Sequence, residues 1–315
     1  MSDTLPDFDL TPVEFIGNIW IKREDKFSPL GYGGINGSKV RQCEYLFSRY
    51  IDSTKNPLGL VSGASVKSSQ LAVGTLIAAN YGLPSIHVIG ATNPISAIRH
   101  EQVKIAHHFG AKFVITSVAY NPVLQRKVND LVAGPLKGWF KLEYGSSLDH
   151  KTNSPEEIEK FHMVGALQVQ NIPDSVRYLI VPTGSCNTLV SIIYGVRLFK
   201  PNIEKIICLQ IGPDKVGFTE ERLRCIESVT NLSLDIDREY HYLNKIWSYQ
   251  DDVPYDFNGI EMHPTYEGKC FKYLESHTEL LNEESCFWLT GSKPYLANMV
   301  SEPIPDYQSI RVWDG

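Results

Sequence analysis

The sequence predicts an α/β protein of two lobes, each a mainly parallel sheet flanked by helices, with a ligand cleft between the lobes. Three observations lead there. Short strand-like runs alternate with stretches of helical apolar spacing, the order that βαβ units impose. This alternation stops near residue 140 and restarts after residue 150, as it would in a second lobe. Between Lys67 and Arg99 there is no Asp, Glu, Lys or Arg, yet "NYGLP" (80–84) interrupts the stretch. It therefore reads as a buried helix followed by a buried strand, not as a membrane span.

In chain order, the first helix begins in "INGSKVRQCEYLF" (35–47), where Val40, Cys43, Leu46, Phe47 and Tyr50 form an apolar stripe. "LGLVSG" (58–63) leads to a helix from about Ser68 to Tyr81, and "SIHVIG" (85–90) to one from about Ala97 to Phe109. "KFVIT" (112–116) precedes a helix that Asn121 caps and Pro122 opens. The second series starts at Ser154, with Pro155, Glu156 and Glu157 behind it and a stripe of Ile158, Phe161, Ala166 and Val169. "RYLIVP" (177–182) is a strand, "TLVSIIYGVRLF" (188–199) a helix and "KIICLQIG" (205–212) a strand. From Pro213 to His263 the pattern is weak and no element is assigned. The lobes divide as residues 51–150 for the smaller and residues 1–50 with 151–315 for the larger.

The 315 residues suffice for two substantial cores, and 43 % hydrophobic with 21 % charged residues is ordinary for a globular chain. The formal charge of -6 disfavours a broad nucleic-acid footprint without excluding a local basic groove. Six scattered cysteines show no CxxC pair, so reduced thiols in a cytoplasmic protein are expected. "MSDTLPDFDL" has neither the basic nor the apolar region of a secretory signal, and no membrane association is expected. His107, His108 and His263 lack HxH or HxxxH spacing, so no metal site is expected.

Four segments carry residues suited to chemistry. Lys39 sits at the start of the first helix, where the positive end of the helix disfavours its charged form and favours a nucleophilic amine. A solvated lysine with a snorkelling stem is the ordinary alternative. "VSGASVKSSQLAV" (61–73) places Ser68, Ser69 and Gln70 at a helix start, able to cap it or to face a cleft, and Lys67 beside them can meet a carboxylate or solvent. In "VPTGSCNTLV" (181–190), Thr183, Gly184, Ser185, Cys186, Asn187 and Thr188 bring hydroxyls and backbone N–H groups to a helix N-terminus, which suits a phosphate, though many βα turns look alike. "HPTYEGKCFKYLE" (263–275) offers Tyr266 as acid or base and Glu267 as partner of a ring nitrogen; packing and helix-start roles serve them equally.

Taken in order, these segments resemble the pyridoxal-phosphate enzymes of fold type II, the tryptophan synthase beta superfamily, and within it the 1-aminocyclopropane-1-carboxylate deaminase and D-cysteine desulfhydrase group. The similarity runs from "IKREDKFSPLGYGG" (21–34) to "FWLTGSKPYL" (287–296). "NGSKVRQCEYL" is similar to the group's lysine segment at Lys39, Arg41, Glu44 and Tyr45, which implies that Lys39 forms the Schiff base with the cofactor. Ser68, Ser69 and Gln70 match a segment that contacts cofactor and substrate. Thr183 to Thr188 match the phosphate loop, and Tyr266 with Glu267 match an active-site tyrosine and the acid beside the pyridine nitrogen. Three departures stand out: Ser69 replaces an asparagine, "INGS" lengthens the lead to Lys39, and His263 replaces an aspartate.

The resemblance implies pyridoxal 5'-phosphate in the interlobe cleft, anchored by the larger lobe, and chemistry at the alpha carbon of an amino acid, with deamination or elimination favoured. Lys39, Ser68 and Tyr266 are its catalytic candidates. A small amino acid is the expected substrate and a homodimer the expected assembly. Two other readings are a pyridoxal-phosphate enzyme whose amino acid is attached to a larger carrier, such as a hypermodified nucleobase in DNA, and a ligand-binding relative without activity.

Overall fold

The computed structural model describes residues 9–29 and 35–315. The N-terminal residues 1–8, read above for a secretory signal, and residues 30–34 of the "IKREDKFSPLGYGG" stretch lie outside them.

The chain opens with a hairpin, β1 (Val13–Ile16) and β2 (Ile19–Arg23), followed by α1 (Ser38–Ser53). Next come β3 (Leu60–Gly63), α2 (Gln70–Asn80), β4 (Ser85–Gly90), α3 (Pro94–Ala97), α4 (Glu101–His108), β5 (Lys112–Thr116), α5 (Asn121–Ala133) and β6 (Phe140–Leu142). The second series comprises α6 (Pro155–Ala166), β7 (Tyr178–Thr183), α7 (Asn187–Phe199), β8 (Lys205–Gln210), α8 (Val216–Thr230) and β9 (Asp237–Tyr242). A short hairpin, β10 (Asp256–Phe257) with β11 (Ile260–Glu261), precedes α9 (Glu267–Leu274) and β12 (Ser285–Leu289).

Two sheets result. One has the order β5-β4-β3-β6 and is parallel throughout. The other has the order β1-β2-β12-β7-β8-β9 and is parallel except at the β1–β2 edge. This is the α/β fold of two parallel sheets that the alternation predicts. The charge-free stretch folds as α2 and β4, both buried, and among the described residues no helix is long and apolar enough to cross a membrane. All six cysteines are free thiols.

Several boundaries differ from the sequence reading. The helix expected from Ala97 to Phe109 is two: Asn93 caps α3 through a reciprocal bond with Ser96, Pro94 opens it, and α4 starts anew at Glu101. Asn121 does not cap α5; Tyr120 takes that position, and Asn121 Oδ1 accepts from Gln125 Nε2 at 3.2 Å. The unassigned stretch after Pro213 holds α8 and β9. β9 is an edge strand whose residues, "DREYHY", are half-buried or exposed, so it lacks the apolar run that marked the inner strands. Ser154 caps α6 as expected, with the Glu157 side chain returning the bond.

α1 positions the site. Its stripe is buried, with Val40, Cys43, Leu46 and Phe47 each 4 % exposed or less, in a core shared with Val73 and Leu76 of α2 and with Phe161 and Val164 of α6. Full burial of such side chains contributes about 1.5–3 kcal/mol each. The first turn is pinned electrostatically. Arg41 pairs with Glu24, both 1 % exposed at the side chain, while Thr11 and Ser38 hydroxyls donate to the same carboxylate at 2.7 and 3.1 Å. Burial alone would raise the Glu24 pKa, but Arg41 and Lys22 hold it below the usual range. Arg41, one of the residues matched in the lysine segment, is thus an anchor of α1.

Candidate active site

Lys39 is the second residue of α1. Gly37, the cap, has φ +96, and a Cβ there would stand 2.2 Å from the Thr290 carbonyl oxygen, to which Ser38 N donates at 3.0 Å. Only glycine permits this close approach of the helix start to the loop after β12. The Lys39 side chain is half-buried, and burial lowers its pKa. Among the described residues its amine has no hydrogen-bond or ion-pair partner; the group that acts on it is the Cys43 thiol one turn on. Cys43 Sγ lies 3.0 Å from Ser146 Oγ, which ties the Lys39 turn to residues 143–147.

Thr290 links this turn to Glu267. Its hydroxyl donates to Glu267 Oε1, and Glu267, 2 % exposed at the first position of α9, has its pKa pushed up to about 7 by burial, against the opposing effect of the Thr290 bond. A carboxyl poised near neutrality exchanges a proton readily with a ring nitrogen. Tyr266 precedes it and shares a 2.5 Å hydrogen bond with the Tyr249 hydroxyl; burial raises its pKa well above the ordinary phenol value. His263 packs against the Tyr266 ring, 5.1 Å between centroids, and its Nδ1 receives Thr265 N–H.

The loop between β7 and α7 turns at Cys186, which is left-handed with φ +67. Thr183 Oγ1 donates to Gln210 Oε1 at 2.9 Å, and Asn187 Nδ2 donates to the Gly145 carbonyl at 2.9 Å. Asn187 Oδ1 is buried with no hydrogen-bond partner. The space over Gly184 is open: a Cβ there would meet only Tyr266 Cε1, at 3.9 Å. Ser185 lies against Gly145, whose φ of +73 and lack of a side chain both matter, since a Cβ would stand 2.5 Å from Ser185 Cβ. Thr188 lies on another side, with Ser38 and Arg41 around a small cavity.

Ser68 and Ser69 are half-buried in the turn before α2, and Ser68 Oγ accepts from Gln70 N at 3.3 Å. Gln70 is committed to the backbone: Oε1 accepts from Gly145 N at 3.0 Å, and Nε2 donates to the carbonyls of Leu142 and Glu143. Lys67 is committed too, donating to the Gln250 carbonyl and pairing with Asp252 at 3.2 Å, so it is neither a solvated lysine nor a free partner for a carboxylate.

The structure therefore gathers all four segments. Gly145 is the hub, touched by Gln70, Asn187 and Ser185, and Thr290 is the second, joining the Lys39 turn to Glu267. Sequence reasoning passed over Gly145, Ser146, Tyr249 and Thr290. A signal existed for Thr290, because "LTGS" after a strand repeats the strand-to-polar-loop pattern of "VPTGS". Pyridoxal phosphate fits this donor set: a desolvated, unpartnered amine, a buried carboxyl near neutrality, and a glycine-opened loop at a helix N-terminus with an unsatisfied amide oxygen.

No family model matches the chain. A protein of Salmonella phage ViI, the O-seryl-dTMP PLP-dependent decarboxylase, is 34 % identical over 92 % of this chain and 83 % of its own length. Among solved structures, an ACC deaminase homologue superposes with a TM-score of 0.73 at 16 % identity, covering 93 % of both chains. Threonine deaminase isoform 2 of Solanum lycopersicum gives 0.59 at 14 % identity, covering 92 % of this chain and 86 % of that one. The O-acetylserine dependent cystathionine beta-synthase of Helicobacter pylori gives 0.56 at 16 %, covering 93 % and 95 %. These structural likenesses establish the fold.

Proposed function

Because the chain belongs to the fold type II pyridoxal-phosphate enzymes, we propose that it removes the carboxyl group of an amino acid carried on a nucleotide, as its Salmonella phage ViI relative is named for doing. The 34 % identity across 92 % of the chain carries this reading. The cofactor, when bound, supplies the electron sink for the pair left on the alpha carbon.

Lys39 would hold the cofactor through its amine, which burial keeps nucleophilic, and on release would give the alpha carbon the proton that replaces the lost CO2. Thr183 to Thr188 would receive the phosphate, and Glu267 would keep the ring nitrogen protonated. Gln70 and Asn187 would act as positioning residues through Gly145. Ser68 and Tyr266 would contact substrate, Tyr266 as a protonated phenol steadied by Tyr249. With Lys67 spent on Asp252, the substrate carboxylate lacks that cation, and a carboxylate less held by charge departs more easily. The lobes of this reading are residues 51–150 and residues 1–50 with 151–315, assembled as a homodimer.

A second reading, deamination or elimination on a small free amino acid, is favoured by the net charge of -6, which opposes a polyanionic carrier. Supplying the cofactor-loaded protein with O-seryl-dTMP and with free serine separates the two. CO2 from the former supports decarboxylation on a nucleotide; ammonia from the latter alone supports the second reading. Lys39→Ala is expected to abolish both turnover and the visible absorbance band of lysine-bound cofactor. A wild-type protein that develops no such band with added pyridoxal phosphate would sink both.

A further inference from the structure

We propose that the cavity beside Ser185 holds the nucleotide part of the substrate, with Lys215 and Arg222 receiving its phosphate. This rests on the reading that the amino acid is carried on a nucleotide. The cavity has a volume of about 200 Å³ and is walled by Tyr144, Asp149, Ser185, Lys215, Phe218 and Arg222. Liquid water occupies about 30 Å³ per molecule, so the space exceeds what the side chain of a small amino acid requires. Two of its lining residues neighbour the candidate site. Ser185 belongs to the loop over which Tyr266 lies, and Tyr144 is within electrostatic reach of both Tyr266 and Tyr249.

The wall chemistry selects an anion. Arg222 is 3 % exposed; its Nη2 donates to the Leu148 carbonyl, whereas Nη1 is buried with no hydrogen-bond partner. An unmet donor of a charged group is costly to bury, and an anion in the cavity offsets that cost. Lys215 lies 5.8 Å from the centroid of the Tyr144 ring, and the Arg222 guanidinium 4.9 Å from that of Phe218. Each cation is thus paired with an aromatic face, a combination that accepts both a phosphate and a flat ring. Two acids also line the wall: Glu143 pairs with Lys141 at 2.5 Å, while Asp149 accepts from Lys151 N at 3.0 Å and its charge also acts on Arg222, which an incoming anion would have to share with it. The walls come from both series, Gln125 from α5 and Phe218 and Arg222 from α8, so an occupant contacts both.

The phosphate monoester that this chemistry recognises is borne by a nucleotide and also by the cofactor, so the test uses the cofactor-loaded protein. Titration calorimetry with dTMP and with thymidine is expected to show dTMP binding at least about tenfold tighter, with the cofactor band retained. Lys215→Ala is expected to weaken dTMP about tenfold and to keep the band, and Arg222→Lys, which preserves charge, to weaken it less. Equal affinity for thymidine, an unchanged affinity in Lys215→Ala, or loss of the band on adding dTMP would each overturn the assignment; the last would give the cavity to the cofactor's own phosphate. Because dTMP carries no amino acid, its binding stands apart from turnover. dTMP that binds as described while O-seryl-dTMP is not decarboxylated upholds this site and refutes the reaction, and the converse refutes the site alone.

Discussion

Glu267 shows what a single buried carboxyl imposes on the protein. In the apoprotein its pKa is about 7 against an ordinary 4.5, because burial penalises the charge more than the Thr290 bond favours it. Below about pH 4.5 the group is protonated whether the chain is folded or not, and its burial carries no charge penalty. Between about pH 4.5 and 7 the unfolded chain releases the proton while the folded one keeps it, so stability falls as pH rises; above about pH 7 the penalty is constant, on the order of 3 kcal/mol. Glu267→Gln is therefore expected to flatten this slope. Urea midpoints of the apoprotein at about pH 5 and about pH 8 measure it, and an undiminished slope in the variant would place the ionisation elsewhere. At this scale Lys39, Tyr266 and Glu267 could be singled out from the sequence as candidates, since each stands in a short segment with a recognisable neighbourhood, and the structure joins the Lys39 turn to Glu267 through Thr290. Gln70 and Lys67 were legible as residues but not in their roles, because their partners, Gly145 and Asp252, are remote in the chain.

At the scale of elements, α1 is placed by a glycine and an ion pair at its first turn. The contact of Gly37 with the Thr290 carbonyl leaves no room for a side chain, and its φ of +96 disfavours one independently. Gly37→Ala is expected to cost about 2–4 kcal/mol and to reduce cofactor incorporation, because relief of the clash moves the helix start that carries Lys39. Chemical denaturation and the cofactor absorbance band report the two effects; a variant of unchanged stability with full incorporation would refute this account. Helices with clean stripes and caps, such as α1 and α6, were legible in advance. The edge strands β1 and β9 were not: an edge strand needs no continuous apolar run, and its identity rests on the neighbour it pairs with.

Across the whole molecule, the two sheets are held together at the site by contacts of very different strength. The Asn187–Gly145 and Cys43–Ser146 contacts lie in the buried interior, whereas Lys67 reaches from the loop after β3 to Gln250 and Asp252, whose side chain is 52 % exposed. A partly solvated pair of this kind contributes at most about 1 kcal/mol. Lys67→Met is accordingly expected to speed amide exchange in residues 248–256 up to about fivefold while leaving β7 and α7 unaffected. Hydrogen-exchange mass spectrometry tests this, and equal acceleration throughout the chain would show a global rather than local role.

The sequence by itself determined the α/β class, the two parallel series, the order of the four site segments and the lysine among them, because helical and strand periodicities and caps are short-range properties written in neighbouring residues. Only the tertiary structure decided that Thr290 and Gly145 join those segments, that Gln70 and Lys67 spend their side chains on the framework, and that a cation-lined cavity adjoins the loop between β7 and α7. Each of these depends on residues far apart in the chain meeting across packed elements, and no local pattern encodes the distance between them.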